Sequence, residues 1–530
     1  MLTLKEKSTL RNLLFRYLDG IAIVPTAFTL YKQGLLKYIQ DHHKVSLNEL
    51  VLNFEANEGY LNVALRILAS QGWINYKIEE SDILVETHDK SDLYFKLVPN
   101  FETTINVLNY ADEFTNSPLR LDAFRALEKC FKDFKNDFQL PDEDKTIFHQ
   151  IKHNLTGIIA GPLIVMLGMN GLFHKYFMEA SFRAQEYHKD PESFAKILDF
   201  FTDLGWFTKK KDHYQFTDKG LFYAKRATAY GVTVSYLPTF KSLSELIFGN
   251  PVILNSVPNE LERHINREMN VWGSGGAHST YFKIIDNIII ELFNKPIEEQ
   301  PKGILDMGCG NGAFIQHIFD IIDQQTLRGK YLDEYPLLLV GADFNQAALK
   351  VTRANLIKAD IWAKVIWGDI GRPEVLAKDL IEDYGIALED LLNVRTFLDH
   401  NRIWEKPTKV HKNSLSTGAY VSKGKRIPNN YVESSLVEHL KKWKPYVKKF
   451  GLLIIELHTL PPEITASNLG KTAATAYDAT HGYSDQYILE LDVFQRMAEK
   501  ADLFPDERYT SKFPKNELAT VSIHLLKEKN

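Results

Sequence analysis

Apolar positions in the first half of the chain recur with a helical period; from about residue 291 short apolar runs alternate with helical stretches. The first half also repeats itself. Residues 21–39 read IAIVPTAFTLYKQGLLKYI and residues 158–176 read IIAGPLIVMLGMNGLFHKY, so that Pro25 matches Pro162 and Gly34-Leu35 matches Gly171-Leu172 at an offset of 137. Further on, LRILASQGWINY and LDFFTDLGWFTK place Gly72-Trp73 and Gly205-Trp206 at an offset of 133. Each copy predicts a buried helix ending at Gly-Leu, an amphipathic helix ending at Gly-Trp, and a short β-like stretch. Glycine supplies the left-handed residue that closes a helix.

The second half predicts strands at GILDMG, LLLVGAD, AKVIWGD, DLLNVRTF and GLLIIELH, most of them separated by helical patterns such as YVESSLVEHLKKWKPYVKK and DQYILELDVFQRMAEKA. Strands alternating with helices imply an α/β, doubly wound, Rossmann-like parallel sheet. The final RYTSKF…LATVSIHLLK adds an antiparallel hairpin. The division this suggests is a winged-helix-like module over 1–115, a helical connector over 116–150, a second such module over 151–250, a linker or lid over 251–290, and the sheet domain over 291–530.

Composition narrows the partners. The 530 residues carry a net charge of -5, with 25% charged and 45% hydrophobic positions, which is ordinary for a soluble globular protein and gives no electrostatic case for nucleic acid. No uninterrupted apolar run approaches the roughly 20 residues that span a bilayer, and the opening stretch lacks a secretory pattern. Cys130 and Cys309 are the two cysteines, too few for a disulfide framework or a cysteine zinc site. A reducing, cytoplasmic protein is expected.

The stretch ILDMGCGNGAF runs an apolar strand into Asp306 and then Gly308, Gly310 and Gly312. The spacing is G-x-G-x-G, which departs from the dinucleotide fingerprint, and the loop lacks the lysine of a phosphate-binding loop. Asp343 ends the next strand, where an acid can accept from ribose hydroxyls. Asp369 ends the third, where one can accept from an adenine amino group. Together these resemble the class I S-adenosylmethionine methyltransferases over roughly residues 290–530. The resemblance implies that cofactor, held by Asp306, the three glycines, Asp343 with Phe344, and Asp369 with Ile370. Asp306 and Asp343 are further apart than is usual, which points to an insertion in DIIDQQTLRGKYLDEYP. The repeated modules are similar to the winged helices that precede many small-molecule O-methyltransferase domains. They are expected to dimerise the chain or to close over its pocket; reading DNA would call for a basic recognition helix, which neither copy has.

Three segments, NREMNVWGSGGAHSTYF, LLNVRTFLDHNRIW and TAYDATHGYSDQYILE, resemble the metal-dependent C-methyltransferases of modular polyketide synthases. That resemblance implies iron or manganese and a malonyl-type or β-ketoacyl thioester on an acyl carrier protein. His458 ends the strand GLLIIELH. His481 and Gln486 are expected just before and at the start of a helix. Two histidines and an oxygen ligand suit such a metal, with Asp478 in place of Gln486, or Asp485, as other choices; equally, Asp478 or Ser484 could cap the helix, leaving His481 a surface histidine. Arg395 could pair with a substrate carboxylate and His400 could accept a proton. Trp272 and the GSGG run, with Gly275, could fold over the cofactor or form a plain linker. The six Lys and Arg between Lys406 and Arg426, with no acid among them, could steer an acidic carrier protein. The other chemistry left open is O-methylation of a free metabolite with His458 or His400 as base.

Overall fold

A computed structural model describes residues 2–79, 82–109, 145–255 and 262–529. Most of the expected connector, up to residue 144, lies outside the described residues. The chain divides into two compact units. One comprises residues 1–277, 419–426 and 461–485; the other comprises residues 278–418, 427–460 and 486–530.

The first unit is built on the sequence repeat. Its long helices are Leu4–Lys32 and Lys145–Met169, carrying Pro25 and Pro162 inside them. Gly34 and Gly171 both follow with φ of 77°, and Gly72 and Gly205 with φ of 74° and 75°. Strands β1 (Lys44–Ser46), β2 (Asn75–Ile78) and β3 (Ile83–Glu86) form the first wing in the order β1-β3-β2. Strands β4 (Phe182–Arg183), β5 (Phe207–Lys210) and β6 (His213–Phe216) form the second in the order β4-β6-β5. The repeat expected from the sequence is therefore a structural duplication.

The two long helices cross reciprocally. A Cβ on Gly20 would lie 2.1 Å from the Asn154 carbonyl oxygen, and a Cβ on Gly157 would lie 2.1 Å from that of Tyr17. Tyr17 and Asn154, like Gly20 and Gly157, stand at the offset of 137 set by the two prolines. Each glycine thus accepts the backbone of the other copy at the equivalent site, as in a two-fold interface. By length and composition both helices could cross a membrane, but the windows concerned are 78% and 89% buried within the protein. Packing accounts for their apolar faces.

The second unit is a doubly wound sheet. Strands β7 (Gly303–Met307), β8 (Leu338–Asp343), β9 (Lys364–Trp367), β10 (Leu391–Thr396), β13 (Leu452–Leu457), β14 (Phe504–Pro505) and β16 (Val521–Lys527) stand in the order β14-β16-β13-β10-β7-β8-β9, with β15 (Ser511–Phe513) also on β16. β11 (Tyr420–Ser422) and β12 (Lys425–Ile427) pair with each other and fall mainly in the first unit. Strands β9, β8, β7, β10 and β13 are parallel, and β16 runs antiparallel to β13. β7 and β13 are buried along their whole length, as the unbroken apolar runs require of central parallel strands. The strand order reverses between β7 and β10, and ligands in such sheets collect beyond the carboxyl ends at that point. The insertion before β8 is partly regular: DIIDQQ completes the helix Ala313–Gln325, and Arg328 is buried behind it, donating to Gln300 at 3.0 Å.

Candidate active site

The glycine loop after β7 has the backbone that its sequence demands. Gly308, Gly310 and Gly312 have φ of 84°, 55° and 79°, a region that a side chain resists. The Gly308 and Cys309 amides donate to the Ala342 carbonyl, at 2.7 and 3.1 Å, which ties the loop to β8. A Cβ on Gly310 would meet nothing nearer than the Gly308 carbonyl oxygen at 4.0 Å, so the space beside it is open. Asp343 Oδ2 accepts from the Gly310 amide at 3.0 Å, bringing the acid of β8 to the loop of β7. Phe344, next to it, is 54% exposed, with its ring 5.7 Å from that of Trp367 on β9. Asp369 accepts from the Gly371 amide at 2.8 Å and from Arg372 Nε at 3.1 Å, while Ile370 is buried.

Asp306 is buried, and its Oδ1 has no hydrogen-bond partner among the described residues. Burial, with the Asp343 charge adding to it, pushes its carboxyl up to about 7. A buried acid lacking a cationic partner, beside a backbone with room for a ligand, fits a cationic amino-acid ligand. These residues fit S-adenosylmethionine.

A second cluster lies beyond β10 and β13. The chain leaves β10 through Phe397, at φ of 55°, and enters a single 3-10 turn, Asp399–Asn401. A non-glycine residue there is strained, and such strain gathers where a neighbouring side chain must be aimed. His400 Nδ1 lies 2.5 Å from Glu456 Oε1, and the His400 amide donates to Glu456 Oε2 at 3.2 Å. Glu456 is a lone acid in the apolar run of β13 and is 1% exposed. A small cavity lies beside the pair, lined among others by Asp399, Arg402, Leu436, Tyr487 and Phe494. Glu456 escaped the sequence reading, although an acid inside GLLIIELH was the signal available.

Other expectations need correction. Arg395 meets Asp399 through Nη1 alone, and it is 0% exposed, so burial rather than that pairing keeps it from a substrate carboxylate. His458 is also buried. Its Nδ1 lies 3.2 Å from the Leu489 carbonyl and its Nε2 2.7 Å from Ser522 Oγ, so both ring nitrogens are engaged. Burial lowers its pKa to about 3, with His524 adding to the effect. Asp478 and His481 lie inside the helix Ala474–Gly482, not before a helix. Asp478 pairs with Arg66 at 3.0 Å, and His481 Nδ1 lies 2.8 Å from the Tyr477 carbonyl. Asp485 has φ of 56° and accepts from Tyr60 at 2.9 Å, and Ser484 bonds back to the Thr480 carbonyl. The following helix starts at Leu491, beyond Gln486. His458 and Gln486 belong to the sheet unit, whereas Asp478 and His481 belong to the helical one. Among the described residues no three His, Cys, Asp or Glu side chains gather as a metal set. The residues expected to hold iron or manganese do not fit that role.

Trp272 and Gly275 lie in the helix Arg267–Phe293, not in a flexible loop. The Trp272 ring packs where a Cβ on Gly168 would lie 3.0 Å away, and Gly273 meets Gly231 backbone to backbone. Gly273 serves close helix packing, whereas a Cβ on Gly275 would meet nothing within 4 Å.

Residues 262–524 match the AprA MT2-like domain, residues 156–250 the AprA winged helix domain and residues 10–76 the AprA N-terminal domain. No curated protein matches the sequence. Among solved structures, human N-acetylserotonin methyltransferase in complex with SAM is similar at 10% identity and a TM-score of 0.41, over 74% of this chain and 100% of that one. An O-methyltransferase family protein from Burkholderia thailandensis is similar at 10% identity and a TM-score of 0.38, over 70% and 95%. DszA carbon methyltransferase is similar at 10% identity and a TM-score of 0.29, over 82% and 96%. Scores this low carry no argument about chemistry. Residues 262–524 are similar to the AprA MT2-like domain, and the chain is an S-adenosylmethionine-dependent methyltransferase.

Proposed function

We propose that this enzyme methylates an acceptor whose proton is removed by His400, with Glu456 as the orienting carboxylate. The observation that carries the reading is the 2.5 Å contact between His400 Nδ1 and Glu456 Oε1. A carboxylate on Nδ1 fixes the proton there and makes Nε2 the accepting nitrogen, and it stabilises the imidazolium that forms. Bound S-adenosylmethionine supplies an electrophilic methyl group that needs little further activation. Asp306, Gly308, Gly310 and Gly312 would hold its amino-acid end, Asp343 and Phe344 its ribose and adenine, and Asp369 and Ile370 the far edge of the adenine. The protein then has to align the acceptor and take one proton. An acidic O–H or an activated C–H meets that requirement.

A malonyl-type or β-ketoacyl thioester on an acyl carrier protein is the second reading. It is favoured by the loop after β10, where Lys406, Lys409 and Lys412 are exposed. That loop is pinned rather than free. Glu438 accepts from the Thr408 and Lys409 amides at 2.8 and 3.0 Å, and buried Glu433 accepts from the Leu415 and Ser416 amides at 2.8 and 2.9 Å. Fixed lysines would meet an acidic partner. No step is drawn through a metal: among the described residues no three His, Cys, Asp or Glu side chains gather.

The test is transfer of labelled methyl from S-adenosylmethionine to catechol and, separately, to malonyl-loaded acyl carrier protein, each with and without added Fe2+ or Mn2+. Transfer to either acceptor that His400→Ala abolishes supports the reading. Transfer that survives His400→Ala removes it, and transfer that requires metal replaces it with the metal-assisted route.

A further inference from the structure

Behind the His400–Glu456 pair lie four buried side chains that the chemistry above does not use. Arg395, near the end of β10, pairs with Asp399, the residue before His400. Asp399 Oδ1 also lies 3.1 Å from His439 Nε2, on the helix Asn429–Val447. The Arg395 guanidinium sits over the indole of Trp443, 4.1 Å from its centroid. Trp443 stands one helical turn beyond His439, on the same face. Its Nε1 donates to the Ile370 carbonyl at 2.7 Å.

These contacts form one chain of touching groups from Ile370 through Trp443 and Arg395 to Asp399. One end adjoins Asp369, at the adenine edge of the proposed cofactor site. The other end is the turn that carries His400. All four side chains are between 0 and 4% exposed.

The cluster is poorly built for stability alone. Burying a guanidinium and a carboxylate is costly unless every donor and acceptor is met. Arg395 Nε and Nη2 and Asp399 Oδ2 have no partner among the described residues. An apolar cluster of the same volume would do better by that measure. What the charges add is geometry: each group has one place to stand. Burial raises the Asp399 carboxyl, but Arg395 and His439 outweigh it and hold it well below the usual range. Burial lowers His439 to about 4 against the pull of Asp399, so it stays neutral and donates from Nε2.

We propose that Arg395, Asp399, His439 and Trp443 are positioning residues that hold the His400 turn and the Ile370 loop in register, so that base and cofactor keep one spacing. This rests on His400 being the base. His439 fixes the near end and Trp443 the far end.

Three variants separate the ends. His439→Leu removes the donor to Asp399, His439→Gln keeps an amide donor, and Trp443→Phe keeps a ring under Arg395 but loses the N–H to Ile370. Two readouts need no acceptor: calorimetry with S-adenosylhomocysteine, and the ring signal of His400 in histidine-labelled protein by NMR, assigned by its loss in His400→Ala. With His439→Leu the turn loosens its hold on Glu456, and the His400 signal should move away from the parent's position. His439→Gln should restore it. Trp443→Phe should weaken S-adenosylhomocysteine about three-fold or more while leaving the His400 signal nearer the parent's. Folded variants with the parent's signal and affinity overturn the proposal; so does a His439→Leu shift that His439→Gln fails to correct. Should His439→Leu fail to fold, Trp443→Phe carries the test alone. The labelled-methyl assay on His400→Ala separates the two failures. If His400→Ala is inactive while the positioning variants behave as the parent, the register proposal fails and the base reading stands. If His400→Ala turns over normally, the base reading itself is wrong.

Discussion

Two buried histidines stand at the carboxyl edge of neighbouring strands, and their surroundings differ. His400, after β10, faces the carboxylate of Glu456. His458, after β13, faces a serine hydroxyl and a backbone carbonyl. A carboxylate stabilises the imidazolium that a base becomes, whereas a hydroxyl and a carbonyl only satisfy a neutral ring. On that difference we propose proton transfer at His400 and a structural role for His458, although the sequence placed both at the strand edge where ligands collect.

The largest effect should come from His400→Ala. A missing general base costs about 10²- to 10⁴-fold in kcat, while S-adenosylhomocysteine affinity by calorimetry stays near the parent's. Asp343→Ala should do the reverse, weakening the cofactor about ten-fold or more through two lost charge-assisted hydrogen bonds, with a smaller fall in kcat at saturation. Glu456→Gln keeps a partner on Nδ1 but removes its charge, so kcat should fall by about ten-fold. His458→Ala should leave kcat within about three-fold. Its cost lies in stability, about 1–3 kcal/mol from an unpaired Ser522 hydroxyl and a small cavity, read by denaturant unfolding.

A separate effect, read on folding rather than on turnover, is a pH dependence of stability. Burial lowers His458 to about 3, and His439 and His524 to about 4, from an ordinary 6.5. In the window between those values the unfolded chain binds protons that the native rings refuse. Stability therefore falls as pH drops below 6.5 and continues to fall toward 4. Replacing His524, whose ring nitrogens have no partner among the described residues, by Leu should flatten part of that slope in melting scans. A melting temperature constant from pH 7 to 5 would contradict the assignment of neutral buried rings.

Much of this was legible in the chain. Offsets of 137 and 133 between two Gly-terminated patterns announced the duplicated modules, because a left-handed cap tolerates little but glycine. Apolar runs ending in Asp306, Asp343 and Asp369 announced the sheet and its tips, because strand ends in this fold face the ligand. The pairing of His400 with Glu456 was not legible: the partners lie 56 positions apart and meet only through the β10–β13 register. His439 and Trp443 sit in a helix whose apolar stripe conceals them. The TAYDATHGYSDQYILE stretch misled because four polar side chains within nine positions look like a ligand set. Helical phase and Arg66 send Asp478 into an ion pair instead.

The most direct test is a single-turnover transfer of labelled methyl from S-adenosylmethionine, on whichever of the two acceptors is used, with His400→Ala beside His458→Ala. Transfer at close to the parent's rate by His458→Ala and loss by His400→Ala is the outcome expected from their surroundings. Loss by His458→Ala with transfer retained by His400→Ala would contradict the account.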